Sequence, residues 1–480
     1  MIRRFVRDSV IYGTGSVLTK AIGLFLLPVL TRVLTPLDFG LLELIALLTT
    51  FIRLSVALEI SQALGRFYAD ARTTGQQATL ASTTLWFSAA AYSAFAVLAI
   101  LGAGPFTSAL FESEARRPLF VLAVVSIWLS GLLSLALNHL RWRLEPGRHL
   151  FVSVLNAALA AVLALALVVV FNAGVTGVIA GQAVAAAVAL AFALWNLRDD
   201  YRLTFDLSAC RRLLAYSVPL VPSSVAVFVS LYVDRLVVKE FLGLEELGVY
   251  SVAYRFAAVA GVIVSAFQFS VTPLIYQNYR GTDAPSEIAR MLRYSLALAL
   301  IFSTALGIFA REVLMVVTGP GFQRAADLIP LLCLAIVAFD LYVFVPGLAL
   351  VGKTRVIAAI NVTAALTNLA LTLLLVPRLG LHGAVLSTVV SGTASFVMYA
   401  WFGQQHYPIP HTFKRALTAL AITAAGVFAA RGLPLHGPAL IIAKATLTVL
   451  ASAAAGWLLV GPPERGLAFG RAGFRIWGAR

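Results

Sequence analysis

The feature of this sequence that most constrains its fold is a series of fourteen apolar stretches, each long enough to cross a bilayer as a helix. Such a helix needs about 20 predominantly apolar residues. The stretches are rich in Ala and Leu and lack the alternation of a membrane β-barrel, which excludes strands. We predict an all-α, polytopic integral membrane protein with about fourteen transmembrane helices. They lie near 8–34, 38–65, 77–103, 117–140, 148–172, 174–197, 211–238, 247–275, 286–311, 327–351, 354–377, 381–403, 413–431 and 437–460.

Composition excludes the other broad classes. The chain is 60% hydrophobic and 12% charged, which leaves too little polar surface for a soluble fold. Its two cysteines, Cys210 and Cys333, exclude a disulfide framework. The net charge of +15 is typical of Lys and Arg gathered in cytoplasmic loops, so we expect no nucleic-acid partner.

The distribution of cations predicts the orientation. An even number of spans places both termini on one side, and 23 of the 36 Lys and Arg residues then lie on that side. The opposite side has 8, and the remaining five lie within spans. A wrong count would move every later loop to the other side and reduce this difference. We therefore predict that both termini are cytoplasmic.

The sequence repeats weakly at an offset of about 205 residues. Gly147, Asn156 and Gly177 recur as Gly352, Asn361 and Gly383, and the same offset relates Arg32 and Gly40 to Arg235 and Gly248. Many transporters build two lobes by such a duplication. We predict an N-lobe at 1–205, a C-lobe at 206–408, two appended helices at 409–462 and a cytoplasmic tail at 463–480.

The sequence does not support catalysis. Residues 347–354 match the P-loop expression, but they close one membrane helix and open the next, where a P-loop joins a strand to a helix. The six histidines are scattered and lack metal-ligand spacing. We expect no enzyme activity, no cofactor and no metal site.

Ionisable residues within the spans are the candidate functional residues, since a charge there costs at least about 2.5–3.5 kcal/mol. Lys20 and Arg53 lie near the middle of the first two helices, and Tyr12, Ser16 and Lys20 form a polar stripe on one helix face. Adjacent helices that carry these cations would form an anion site. The candidate substrate-binding residues are Lys20, Arg53, Arg255, Arg235, Asp234, Ser16, Tyr12, Glu59 and Asp340.

A structural explanation of these charges is the alternative. Asp234 could pair with Arg255, because both lie at similar depth on consecutive antiparallel helices, and Glu59 could pair with Arg53. Lys444 lies about seven residues from a helix end, where a lysine can extend its ammonium group to the membrane surface.

Several segments resemble the Wzx-type lipid-linked oligosaccharide flippases of the multidrug/oligosaccharidyl-lipid/polysaccharide exporter superfamily. The segments are 15–40, 233–255, the turn at 352–354 and the stretch at 379–384. The resemblance implies two six-helix lobes in a V plus two C-terminal helices. It implies alternating access that moves an isoprenoid-pyrophosphate-linked oligosaccharide from the cytoplasmic to the periplasmic leaflet of a bacterial inner membrane. O-antigen or exopolysaccharide assembly, with polymerase and chain-length partners, would be its setting.

Three other functions stay open. A multidrug antiporter of the same superfamily would be coupled to H⁺ or Na⁺ through buried acids, for which Glu59 and Asp340 are candidates. A lipid II flippase has the same architecture and a cationic cavity. A non-transporting scaffold for glycan-assembly enzymes is a different class, but it would have no use for Lys20 and Arg53 at midspan.

Overall fold

The computed structural model describes residues 2–433 and 437–460, and within them every regular element is a helix. The predicted all-α membrane fold is therefore confirmed. Short 3₁₀ or π turns join several of the helices. In chain order the α-helices are α1 (Ile2–Val33), α2 (Pro36–Ser55), α3 (Ile60–Asp70), α4 (Thr74–Leu101), α5 (Ala103–Phe111), α6 (Arg117–Trp142), α7 (Pro146–Leu165), α8 (Gly174–Asn196), α9 (Leu207–Ser217), α10 (Val221–Asn278), α11 (Ala284–Ile308), α12 (Ala310–Val317), α13 (Ile329–Asp340), α14 (Gly347–Leu350), α15 (Thr354–Leu379), α16 (Leu381–His406), α17 (Phe413–Arg431) and α18 (Pro438–Leu459).

The number of spans is close to the prediction. Among the described residues, eleven helices are long and apolar enough to cross a membrane, or twelve if α2 and α3 form one bent span. The predicted fourteen also counts α1 and divides the long helix α10 at Gly243, where φ is 86° and the helix is interrupted. The exact number stays a prediction.

Local sequence explains the corner between α1 and α2. Thr35 caps α2 by accepting a hydrogen bond from the Asp38 backbone, and the Asp38 side chain accepts one from the Thr35 backbone in return. Pro36 occupies the first turn, where the missing N–H costs nothing. These residues end one membrane helix and start the next within a few residues.

The chain forms two compact units. The first contains Met1–Val252, Met315–Gln323 and Leu369–Ala384, and the second contains Ala253–Leu314, Arg324–Asn368 and Val385–Arg480. In the first unit, fully buried Tyr92 packs directly over Gly131, where a Cβ atom would overlap the tyrosine ring. The boundaries predicted from the sequence repeat, at residues 205 and 408, stay a prediction.

The order of elements is duplicated. The long helix α4 is followed by the short helix α5, a 3₁₀ turn and the long helix α6. The long helix α11 is followed in the same way by the short helix α12, a 3₁₀ turn and the 12-residue helix α13. This agrees with the internal repeat inferred from the sequence.

Candidate functional site

The polar stripe of the first helix is only partly described. Tyr12, Ser16 and Lys20 belong to α1. Their side chains lie outside the described residues, so the predicted role of this stripe stays a prediction.

Arg53 is exposed although it lies on a membrane helix, three residues before the break between α2 and α3. The Tyr92 hydroxyl donates a hydrogen bond of 3.4 Å to the Arg53 backbone carbonyl. Because an arginine that faces hydrocarbon is costly, an exposed guanidinium at this depth favours a water-filled space. Glu59, at the start of α3, is half-buried, and its predicted pairing with Arg53 stays a prediction.

A buried charge cluster joins α2 to α10 in the first unit. Arg235 is 3% exposed and Asp234 is 5% exposed. Arg235 Nε lies 3.0 Å from Glu43 Oε1, and an Arg235 terminal nitrogen lies 3.4 Å from Asp234 Oδ1. The Tyr250 hydroxyl donates a 2.5 Å hydrogen bond to Asp234 Oδ2. In this conformation, the cluster therefore holds Arg235 between carboxylates.

Two predicted site residues, Arg255 and Asp340, belong to the second unit. Arg255 is exposed, and its predicted pairing with Asp234 stays a prediction. Asp340 ends α13, and its backbone carbonyl accepts a hydrogen bond from the Gln268 side chain. A Cβ atom on Gly261 would lie 3.1 Å from Asp340 Oδ2, so a bare glycine leaves room for this carboxylate.

Lys444 corrects one sequence interpretation. It does not extend to the membrane surface, because it is only 6% exposed and its ammonium group contacts Glu312 Oε1 at 2.5 Å. This ion pair joins α18 to α12. Sequence distance could not reveal it, since the two residues are 132 positions apart.

The second unit also contains a large apolar groove of about 1180 Å³. Helices α11, α13, α16 and α17 line it, mainly with Leu, Val, Ala and Phe side chains. The sequence alone does not predict this groove. Residues of a membrane helix that face lipid and residues that line an apolar groove have the same composition, so hydropathy does not separate them.

The groove follows α17 from end to end. Its lining includes Phe413 and Arg431, the first and last residues of this 19-residue helix, which spans about 28 Å at 1.5 Å per residue. Trp401, Leu417 and Phe428 in the lining are 68%, 65% and 81% exposed, so the groove opens sideways. Polar side chains occur only towards its ends and at a few small residues.

Other sequence features have plain structural roles. The P-loop match contains the helical turn α14, and Gly347 packs against the backbone of Gly403. Gly352 follows with φ at 70°, and α15 begins at Thr354. Within residues 2–433 and 437–460, no group of three or more His, Cys, Asp or Glu side chains could hold a metal ion.

Comparisons with known proteins agree with this architecture. The family model described as polysaccharide biosynthesis protein matches residues 5–278, and the MatE model matches residues 219–374. The succinoglycan biosynthesis transport protein ExoT of Rhizobium meliloti (strain 1021) is 24% identical over 367 residues, which are 74% of this chain and 70% of ExoT.

Solved structures share the fold. The inward closed conformation of the lipid II flippase MurJ has a TM-score of 0.71 at 14% identity and covers 96% of this chain and 100% of its own. An inward-facing multidrug resistance MATE family transporter of the MOP superfamily has a TM-score of 0.63 at 16% identity, covering 83% and 94%. The chain belongs to the polysaccharide biosynthesis protein family and is a multi-pass membrane transporter of the MOP superfamily.

Proposed function

We propose that this transporter is a flippase for an isoprenoid-pyrophosphate-linked oligosaccharide. It moves the glycan from the cytoplasmic to the periplasmic leaflet of a bacterial inner membrane by alternating access, for exopolysaccharide or O-antigen assembly. The observation that carries the proposal is the apolar groove that follows the whole length of α17.

The groove suits a substrate with a long apolar tail. While a polar head group crosses the bilayer, the attached isoprenoid must stay in apolar surroundings, since its exposure to water costs about 0.8 kcal/mol per CH₂ group. A sideways-open groove about as long as a transmembrane helix lets the tail move between leaflets without leaving hydrocarbon. A small drug molecule has no need of such a path. The name of ExoT, a succinoglycan transport protein, favours an exopolysaccharide precursor.

The cations of α1 and α2 suit the pyrophosphate. Phosphate oxygens bind guanidinium and ammonium groups strongly where water is scarce. Arg53 is exposed within a span, and Lys20 lies on the preceding helix. In the proposed mechanism both bind the pyrophosphate, whereas the tyrosine and serine of the α1 stripe contact glycan hydroxyls. Export at the wild-type rate by a Lys20→Ala, Arg53→Ala double variant would exclude this role.

Filling the groove tests the proposed function. Ala424 and Ala425 line the groove on α17, whereas Ala421 is exposed on the same helix and outside the lining. We expect Ala424→Trp and Ala425→Trp to abolish the transbilayer movement of lipid-linked oligosaccharide in proteoliposomes, measured by its accessibility to an external glycosidase. Ala421→Trp, the matched control, should transport normally.

Two results would oppose the proposal. Normal movement with both groove variants, inserted at wild-type levels, would show that the groove holds no isoprenoid tail. Ethidium extrusion in place of glycan movement would indicate the drug antiporter function instead. The remaining alternative is a lipid II flippase. Lipid II supplied as the substrate tests it, since a flippase specific for another glycan should move lipid II poorly.

A further inference from the structure

The apolar groove of the second unit has two chemically different ends. Where α17 begins, the lining includes Phe413 and the uncharged amides of Gln404 and Gln405. Where α17 ends, Asp327 and Arg431 enter the lining. Asp327 closes the 3₁₀ turn before α13, and Arg431 is the last residue of α17. Among the described lining residues, the charged side chains therefore lie together at one end of the groove.

Two arginines share the Asp327 carboxylate at this end. An Arg311 terminal nitrogen lies 3.3 Å from Asp327 Oδ1, and an Arg431 terminal nitrogen lies 3.9 Å from the same oxygen. Arg431 also donates to the backbone carbonyls of Ala326 and Asp327 at 3.5 and 3.4 Å. Strong hydrogen bonds between a guanidinium and a carboxylate have lengths of about 2.7–2.9 Å. The longer contacts here bring two guanidinium groups together without forming a tight bidentate pair.

A neighbouring ion pair shows the difference. Lys444 is buried, and its ammonium group contacts Glu312 Oε1 at 2.5 Å, so this pair is closed to a ligand. The side chains of Arg311, Asp327 and Arg431 are instead 62%, 37% and 39% exposed. Two positive charges and one negative charge leave this group with a net positive charge. An anion can therefore reach both guanidinium groups at the end of the groove.

The predicted orientation makes this concentration of cations unusual. Arg311, Arg324 and Arg431 are three of the eight Lys and Arg residues that the predicted topology places on the outer side. The excess of Lys and Arg that sets topology belongs to cytoplasmic loops. Three outer arginines near one end of a groove therefore favour the binding of an anion over a role in orientation.

We propose that Arg311 and Arg431 bind the diphosphate of an isoprenoid whose chain lies in the groove. Two adjacent guanidinium groups suit a diphosphate, because each can donate two parallel hydrogen bonds to one phosphate. The apolar lining that continues from Arg431 suits the hydrocarbon chain. On the predicted topology the site receives the head group after the glycan has crossed. This role rests on the proposed flippase function, whereas the binding site rests on the groove and the two arginines.

Binding of farnesyl diphosphate, a soluble isoprenyl diphosphate, to the purified protein tests the site by calorimetric titration. The parent carries Lys20→Ala and Arg53→Ala, which removes the other proposed phosphate ligands. We expect Arg311→Ala and Arg431→Ala each to weaken binding about tenfold, because each removes charged hydrogen-bond donors. Arg378→Ala is the matched control, since it removes an exposed arginine from the last turn of α15 on the same predicted side. Equal affinity in the parent and both arginine variants would overturn the proposal.

Asp327→Asn distinguishes an anion site from a purely structural cluster. The Asp327 carboxylate repels a diphosphate and competes with it for both arginines, so its removal should tighten the binding of farnesyl diphosphate several-fold. A structural cluster would gain no affinity from this change. Binding that is unchanged or weaker in Asp327→Asn, at an unfolding temperature equal to that of the parent, would contradict the proposal.

A cysteine at the end of the groove locates the bound ligand. Gly432 follows Arg431 and is exposed, and the nearest atom to a Cβ there is the Ala429 carbonyl oxygen at 3.8 Å. With Cys210 and Cys333 replaced by Ala, farnesyl diphosphate should slow the reaction of Gly432→Cys with a maleimide. It should not do so when Arg431→Ala is added.

Two comparison ligands distinguish the possible sources of the phosphate. Equal protection of Gly432→Cys by phosphatidylglycerol would assign the site to a membrane phospholipid. Equal protection by inorganic pyrophosphate would show that the groove adds nothing to binding. Either result would overturn the proposal, and stronger protection by farnesyl diphosphate than by both supports it.

The site and the proposed function fail separately. If the wild type moves glycan and the Ala424→Trp and Ala425→Trp variants do not, the flippase function stands even where the arginine variants bind farnesyl diphosphate normally. If the wild type moves no glycan, the proposed substrate is wrong, while the binding comparison still decides the site.

Discussion

Two buried cations in the described residues form ion pairs with acidic residues of another helix. Lys444 on α18 pairs with Glu312 on α12, and Arg235 on α10 pairs with Glu43 on α2. Arg235 also contacts the neighbouring Asp234. A charge at these depths is tolerated because an opposite charge lies within hydrogen-bonding distance. The sequence identified Lys20, Arg53, Asp234 and Arg235 as unusual, because hydropathy alone marks an ionisable residue within a span. It could not choose their partners, since each partner depends on which helices pack together.

The Lys444–Glu312 pair gives a stability prediction at this scale. Breaking a buried pair from one side costs about 3–5 kcal/mol, whereas replacing both partners is often nearly neutral. Because 28% of the Glu312 side chain is exposed, we expect a cost at or below the lower end of this range for Lys444→Met. Adding Glu312→Leu should recover most of the lost stability. Thermal unfolding in detergent measures both, and a double variant less stable than either single variant would contradict the pairing.

Asp200, in the loop after α8, predicts a dependence of stability on pH. Burial raises the pKa of its carboxyl, but the His139 imidazole, whose Nε2 lies 3.3 Å from Asp200 Oδ2, and the Arg143 guanidinium outweigh burial and leave the pKa below its ordinary value. The folded state therefore binds this proton less readily than the unfolded state. The resulting stability is present above the ordinary carboxyl pKa of about 3.9 and is lost as the pH falls below it.

We expect Asp200→Asn to reduce the drop in unfolding temperature that occurs as the pH falls below about 3.9. Asp199→Asn is the matched control, because its carboxylate is 87% exposed. An unchanged acid profile for Asp200→Asn would show that the contacts with His139 and Arg143 do not stabilise the fold.

At the scale of elements, the break between α2 and α3 is the clearest departure from a straight membrane helix. Leu58 and Glu59 have φ of 49° and 53°, in the left-handed region that side chains disfavour, and the two helices are bent by 44°. The residues in the break are Val, Ala, Leu and Glu. Since none of them is a glycine or proline, the sequence predicts one continuous helix over 38–65.

This break predicts an unusual substitution effect. Glu59→Gly and Glu59→Ala remove the same carboxylate, but only glycine adopts φ near 53° without strain. We expect the glycine variant to be more stable than the alanine variant by about 1 kcal/mol. In a regular helix the order would be reversed, so a more stable Glu59→Ala variant would show that the break closes in the membrane. Thermal unfolding in detergent again supplies the measurement.

At the scale of the whole molecule, the distribution of cations predicts the orientation, with both termini cytoplasmic. Leu203 lies in a loop predicted to face the cytoplasm, and Phe171 lies at the outer end of the predicted span 148–172; they are 91% and 71% exposed. With Cys210 and Cys333 replaced, Phe171→Cys should react with an impermeant maleimide added outside the cell, and Leu203→Cys should be protected. The reverse pattern would invert the topology.

The sequence by itself determined the class of this protein. Apolar stretches of bilayer length allow only helices or a closed barrel, since backbone polar groups in hydrocarbon must be satisfied internally. Repeat motifs, together with the resemblance of four segments to known flippases, then indicated the family. These conclusions depend on composition and spacing, which are properties of the chain before it folds.

The tertiary structure decided which distant residues meet. Residues from separate helices form the groove along α17 and the Lys444–Glu312 ion pair. The close contacts of Gly40 with Leu244 and of Gly248 with Pro36 also join separate segments of the chain. Hydropathy cannot predict them, because lipid offers an apolar side chain the same surroundings that a neighbouring helix does. The packing of the helices therefore determines which residues line the groove, which charges pair and which segments of the chain come into contact.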